Sequence, residues 1–146
     1  MKDIQSALMQ AIKLACDAHY GQFDKVGEPY ILHPIAVLQQ CNTCEEKIVA
    51  ILHDILEDTE AVSEAELRCC FSQEIVDAVV AITKLPDEKY FDYIERCKLN
   101  YVARMVKLAD LEHNLSEDRM AGLPIKEQLS LKKRYNKAIE ILMYGD

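Results

Sequence analysis

The sequence predicts an all-α protein, on three observations. Apolar residues recur at spacings of three and four in each well-patterned segment. A Ser or Thr followed three residues later by Glu stands ahead of two of those segments, and no stretch alternates apolar and polar residues as a strand would. No internal repeat is present, so a solenoid is not expected. With 146 residues, 50% of them hydrophobic, the chain has material for a self-sufficient core, and residues 1–146 are read as one domain.

Ile4, Ala7, Leu8, Ala11, Ile12, Ala15 and Ala18 set a first helix over residues 4 to 19, which Gly21 stops. The segment from Gly21 to Tyr30 combines glycines and Pro29 with aromatic residues, the composition of an ordered loop of the kind that lines sites. His33-Pro34 opens a second helix, with Pro34 at its first position and Ile35, Val37, Leu38 and Cys41 facing inward. Thr43-Cys44-Glu45-Glu46 is a capping box that starts the helix carrying His53, and Ser63-Glu64-Ala65-Glu66 repeats it for a short helix ending near Cys69-Cys70. Ile75, Val76, Val79 and Val80 define a helix that stops before Pro86, with Thr83 and Lys84 at its end. Residues 88 to 98, with Tyr90, Phe91 and Ile94, form another. A helix over 101 to 115 carries Val102, Met105, Val106 and Ala109 on one face, with Asp110 at the stripe's edge and Asn114 one turn on. After Leu123-Pro124 a last helix presents Leu131, Tyr135, Ala138, Ile139 and Leu142.

Composition removes several function classes. Seventeen basic against twenty-five acidic residues give a net charge of −8, which disfavours a long polyanion such as nucleic acid but permits a small anion held by a metal. The opening MKDIQSALMQ lacks a signal peptide's apolar core and no uncharged run approaches a bilayer span, so a cytoplasmic protein without a membrane partner is expected; a homo-oligomer is compatible. The six cysteines include Cys41-x-x-Cys44 and Cys69-Cys70, but an adjacent pair does not suit a four-thiolate zinc site, and most are read as small buried or half-buried thiols.

Chemistry concentrates between Ala50 and Thr59. On one continuous helix, Ile48, Ile51, Leu52 and Ile55 form an apolar stripe while His53, Asp54, Glu57 and Asp58 gather opposite, with Ala50 among them. So many titratable groups on a core helix call for water or a cation to neutralise them, and an imidazole with carboxylates suits a divalent metal. A solvated polar face is the bland alternative, which only partners elsewhere in the chain can displace.

Such partners exist. His33-Pro34, then His53-Asp54-x-x-Glu57-Asp58-Thr59, then Leu108-Ala109-Asp110-x-x-x-Asn114 follow the order and spacing of the HD-domain metal phosphohydrolases, which the chain resembles. The Glu-Asp pair after His-Asp, and the loop from Gly21-Gln22 through Gly27-x-Pro29-Tyr30, narrow the likeness to RelA/SpoT-type hydrolase domains, in particular small stand-alone alarmone hydrolases, over residues 4 to 118. The resemblance implies a compact multi-helix HD-domain architecture in which His33, His53, Asp54 and Asp110 ligate a divalent metal, most often Mn²⁺ in that family. It implies that Glu57 and Asp58 orient or deprotonate water and handle the leaving group's proton, and that Lys25, Lys84 and Asn114 lie near a small phosphorylated nucleotide. Tyr30, also counted as a substrate contact, either walls the pocket or packs the loop.

The implied reaction removes the 3′-pyrophosphate of guanosine tetra- or pentaphosphate. Two places differ from the family pattern. Asp24 stands where alarmone hydrolases carry an Arg set to stack on guanine, and Ser116 and Glu117 stand where they continue with Arg and Thr. Acids beside an anionic substrate oppose it, so Asp24→Arg is expected to raise alarmone hydrolysis if the site otherwise fits. Two other readings stay open: the same machinery acting on another phosphorylated nucleotide or small phosphoester, and a metal- or nucleotide-binding regulatory module with little turnover. Bland roles are expected for His19 as a helix-closing residue, His113 in core packing, Lys107 as an exposed cation, and Tyr90 and Phe91 in the core.

Overall fold

The structure, a computed structural model, describes residues 3 to 144; residues 1, 2, 145 and 146, at the ends of the expected domain, lie outside the described residues. In chain order the helices are α1 (Ile4–Ala18), α2 (Leu32–Gln39), α3 (Cys44–Leu52), α4 (Ile55–Asp58), α5 (Glu64–Cys70), α6 (Gln73–Ala81), α7 (Tyr90–Lys98), α8 (Tyr101–Asn114), α9 (Glu117–Met120) and α10 (Ile125–Tyr144). Among the described residues extended pairing is limited to one isolated antiparallel bridge, Phe23 to Pro29, inside the loop that follows α1. The all-α prediction therefore holds. No described helix is long and apolar enough to cross a membrane.

Helix α3 is the hub. Ile48, Val49, Ala50, Ile51 and Leu52 have no solvent exposure, because α1, α2, α6 and α8 surround them, and α7 and α10 cover α8 in turn. Burying each of the Ile, Val and Leu side chains is worth about 2 kcal/mol, which explains why one short helix can order its neighbours. Its start is fixed as the sequence indicates: Thr43 accepts from the Glu46 amide at 3.1 Å, and the Glu46 carboxylate accepts from the Asn42 amide at 3.2 Å. Ser63 caps α5 in the same way, and Asp3, Ser72 and Asn100 cap α1, α6 and α8.

The boundaries needed correction in three places. Pro34 is the third residue of α2 rather than the first, which costs nothing because amides in the first turn have no intrahelical acceptor. The four-residue helix α9 was not expected, since four residues are too few for periodicity to show. Most consequential, the helix carrying His53 does not continue through Asp58: it ends at Leu52, Asp54 turns with φ −102° and ψ 1°, and α4 restarts at Ile55. What reaches the Ala50 backbone is His53 itself, whose Nδ1 lies 2.6 Å from the Ala50 carbonyl oxygen and whose backbone amide donates to it at 3.3 Å.

Two further contacts shape the site. Gly21 sits at φ +83° and turns the chain from α1, closed by His19, into the loop. Gly122 approaches that loop so closely that a Cβ there would collide with Val26, which draws the segment after α9 over it.

Candidate active site

The break between α3 and α4 is what builds the centre. α2 brings His33, the end of α3 brings His53, the junction brings Asp54, and α8 brings Asp110; His33, His53 and Asp110 are buried. His33 Nε2 is 2.8 Å from Asp110 Oδ1 and 3.9 Å from Asp54 Oδ2, while His53 Nε2 is 3.1 Å from Asp54 Oδ2 and 3.3 Å from Asp110 Oδ1. Because the Ala50 carbonyl can only accept, His53 Nδ1 carries the proton, and in the neutral ring Nε2 turns a lone pair toward two carboxylates. That Nε2 is buried and makes no hydrogen bond, despite its nearness to both oxygens. A buried lone pair among anions is what a divalent cation satisfies, and adjacent ligands of an octahedral ion sit about 3 Å apart, close to three of the four separations. His33, His53 and Asp54 in particular offer converging ligand atoms. The donor set fits a divalent metal.

The electrostatics favour positive charge at the same point. Burial disfavours a charged His53, but Asp54 and Asp110 raise its proton affinity well above that of an ordinary histidine. Burial likewise opposes charge on the two carboxyls, yet His53 holds Asp54 at about 2, and Lys107 with His53 keeps Asp110 well below the carboxylate range. Lys107 is therefore not the exposed cation expected: its side chain is 12% exposed, with Nζ 2.8 Å from Asp110 Oδ2 and 5.2 Å from the centre of the Tyr93 ring. Nor is His113 a core residue. It is half-buried and meets His33 edge to edge, with the two Nδ1 atoms 2.7 Å apart and the ring planes 17° from parallel.

Glu57 and Asp58, on α4, line the same cavity of about 250 Å³. Burial, with Asp54 nearby, raises the pKa of both. Glu57 accepts from the Lys84 backbone amide at 2.9 Å, so what Lys84 gives this acid is its N–H, while its ammonium donates to the Leu85 carbonyl at 3.2 Å. The turn bearing Lys84 is tied down from α7. Tyr93 donates to the Ile82 carbonyl at 2.5 Å, and Arg96 spans the Thr83 carbonyl at 2.7 Å and Glu88 at 2.9 Å. Tyr30 resolves in favour of the pocket: its hydroxyl lies 2.5 Å from Asp54 Oδ2 and 3.0 Å from Asp58 Oδ2. His19 closes α1 as expected, and Gln22 links its Nδ1 at 2.8 Å to the Asp58 carbonyl at 3.0 Å.

A second cavity of about 310 Å³ adjoins the first through Tyr30, Asn114, Arg119 and Tyr135, and is walled by Phe23, Val26 and Leu131. Asn114 donates to Asp110 at 3.2 Å, and Lys25 stands at the rim, paired with Glu127 at 2.9 Å. Asp24 lines this cavity, but one carboxylate oxygen accepts from the Val26 and Glu28 amides at 3.0 and 2.9 Å, and the other faces Arg119 at 3.9 Å. Ser116 and Glu117 line neither cavity. Tyr90, expected in the core, is half-buried and lines the first cavity; Phe91 is half-buried beside it. The cysteines are free and form no zinc cluster among the described residues, and Cys16, Cys69 and Cys70 are exposed rather than buried. Spacing on α8 hinted at Lys107 and His113, each three residues from Asp110; nothing local hinted at Arg119.

An all-helical frame that converges two histidines and two aspartates, with a His-Asp pair at a helix break, defines an HD-domain protein. No family model matches the chain. The bifunctional (p)ppGpp synthase/hydrolase SpoT of Escherichia coli is 34% identical over 125 residues, covering 74% of this chain and 17% of SpoT. A guanosine-3′,5′-bis(diphosphate) 3′-pyrophosphohydrolase of Borreliella burgdorferi is 30% identical over 160 residues, covering 87% of this chain and 23% of that protein. The solved structure of a metazoan SpoT ortholog described as hydrolysing ppGpp superposes with a TM-score of 0.78, covering 96% of this chain and 86% of that one at 22% identity, a likeness of fold. The chain belongs to the RelA/SpoT-type HD hydrolase family, and it spans about a fifth of the length of the curated relatives it matches.

Proposed function

We propose that this chain is a metal-dependent phosphohydrolase that removes the 3′-pyrophosphate of guanosine tetra- or pentaphosphate. The observation that carries the reading is the orphaned Nε2 of His53 beside Asp54 and Asp110, next to two acids and a cavity of nucleoside size. The names of the relatives, pyrophosphohydrolases of this alarmone, support the substrate.

His33, His53, Asp54 and Asp110 would hold the ion, with Mn²⁺ as the family's usual choice. When bound, a divalent ion lowers the pKa of water and offsets charge on a phosphoryl oxygen. In the reaction, water's oxygen bonds to the phosphorus on O3′, the P–O3′ bond breaks, and O3′ takes a proton as pyrophosphate leaves. Glu57, steadied by the Lys84 amide, takes the proton from water; Asp58, hydrogen-bonded to Tyr30, steadies the opposite wall and handles the leaving group's proton. Lys107 and Lys84 bring positive charge to the cavity that receives the phosphates, and Asn114 and Tyr30 stand where it meets the nucleoside cavity.

The test is pyrophosphate and phosphate release by Mn²⁺-loaded protein from a nucleotide panel that includes guanosine tetraphosphate, with His53→Ala and Glu57→Ala as controls. Pyrophosphate abolished in both controls is the expected outcome. A second reading, hydrolysis of another phosphorylated nucleotide, is favoured by Asp24 lining the nucleoside cavity, and release only from other substrates would select it.

A further inference from the structure

Asp24 brings an acid to the wall of the nucleoside cavity. The fold answers this from a distant segment. Arg119, on α9, extends into the junction of the two cavities, its side chain 25% exposed. Its Nε donates to Asn114 Oδ1 at 3.0 Å, and its Nη1 faces Asp24 Oδ2 at 3.9 Å. The Nε hydrogen bond meets the guanidinium in its plane, at its edge. A planar group restrained by its edge keeps its faces for stacking, and Arg stacks on flat π-systems in a way that Lys cannot. Asp24 is itself locked by the Val26 and Glu28 amides, so it acts as a rigid post rather than a mobile acid. Asn114 is locked likewise through Asp110, which links the plane of Arg119 to the metal-binding residues.

We propose that Arg119, held by Asn114 and Asp24, is the residue on which the base of the nucleotide substrate stacks, and that Asp24 is its tether rather than an obstacle to the substrate. The inference rests on the phosphohydrolase reading and assigns its base-selecting residue. It reverses the expectation for Asp24→Arg, because a second cation at position 24 repels Arg119 and removes its tether.

The experiment measures, on Mn²⁺-loaded protein, the binding of GDP and of inorganic pyrophosphate by calorimetry, together with KM and kcat for guanosine tetraphosphate. Stacking of one base is worth about tenfold or more in affinity. Arg119→Ala and Arg119→Lys should therefore each weaken GDP and raise KM by about tenfold, with pyrophosphate binding and kcat little changed. Asp24→Arg should weaken GDP similarly, and the exchange Asp24→Arg with Arg119→Asp should recover part of the loss by re-forming the pair in reverse. GDP binding unchanged in Arg119→Ala overturns the inference, as does an equal loss for pyrophosphate, which would make Arg119 a phosphate contact. Full affinity in Arg119→Lys overturns the stacking role. A wild-type protein that binds Mn²⁺ but neither GDP nor guanosine tetraphosphate overturns the functional reading itself, a result distinct from all of these.

Discussion

His33 and His113 face each other through their Nδ1 atoms at 2.7 Å, with ring planes 17° apart. Only one proton fits between them. For His33 to turn a free Nε2 toward a cation, its Nδ1 must carry that proton and donate it to His113. Burial, with His33 and Arg119 beside it, lowers the pKa of His113, so the neutral acceptor form is favoured. His113→Ala should weaken Mn²⁺ binding by about 10- to 100-fold in calorimetry, the usual cost of losing an orienting partner. An unchanged affinity would mean that packing alone fixes the His33 ring.

Glu57 differs from the histidines in what its loss should do. Glu57→Gln still accepts the Lys84 amide but takes up no proton. Turnover should fall by about 10²- to 10⁴-fold while one Mn²⁺ per chain is retained. His53→Ala should lose both the ion and turnover. Metal analysis beside steady-state rates separates the two roles.

Lys107 and Asp110 form a buried pair whose cation also faces Tyr93. In Lys107→Met the carboxylate loses its nearest positive charge, and breaking such a pair costs about 3 to 5 kcal/mol. Urea unfolding of the metal-free protein should register that loss, and saturating Mn²⁺ should restore much of it by supplying charge to the same carboxylate. Equal destabilisation with and without metal would show that Asp110 does not meet the ion.

The Arg96 and Glu88 pair gives a pH dependence away from the buried His-Asp cluster. Hydrogen bonds from Arg96 lower the pKa of Glu88, so its contribution is present above the unfolded-state value and is lost as pH falls through the folded one. The stability advantage of wild type over Glu88→Gln should therefore be largest near neutral pH and shrink below about pH 4. Because Arg96 also holds the Thr83 carbonyl ahead of Lys84, Arg96→Ala should destabilise the protein by about 1 to 3 kcal/mol and lower kcat through the Glu57 contact. A variant with wild-type kcat would uncouple the two.

Features that are local or periodic were legible along the chain. Apolar spacing gave the helical class and the long helices, and Thr43 and Ser63 marked two starts, because a cap needs only a hydroxyl three residues ahead of an amide. Motif order named His33, His53, Asp54 and Asp110, residues up to 77 apart along the chain. Their convergence was decided by tertiary structure: packing around α3 carries α2 and α8 to the same end, and the break after Leu52 turns Asp54 toward His33. Lys107 and His113 were misread because the groups that bury them, Tyr93 and His33, come from other elements. Lys107 is buried because Tyr93 and Asp110 solvate it, and Asp24 faces a cation because α9 folds back across 95 residues of chain to put Arg119 beside it. Charge acts through space, and no spacing along the chain records that distance.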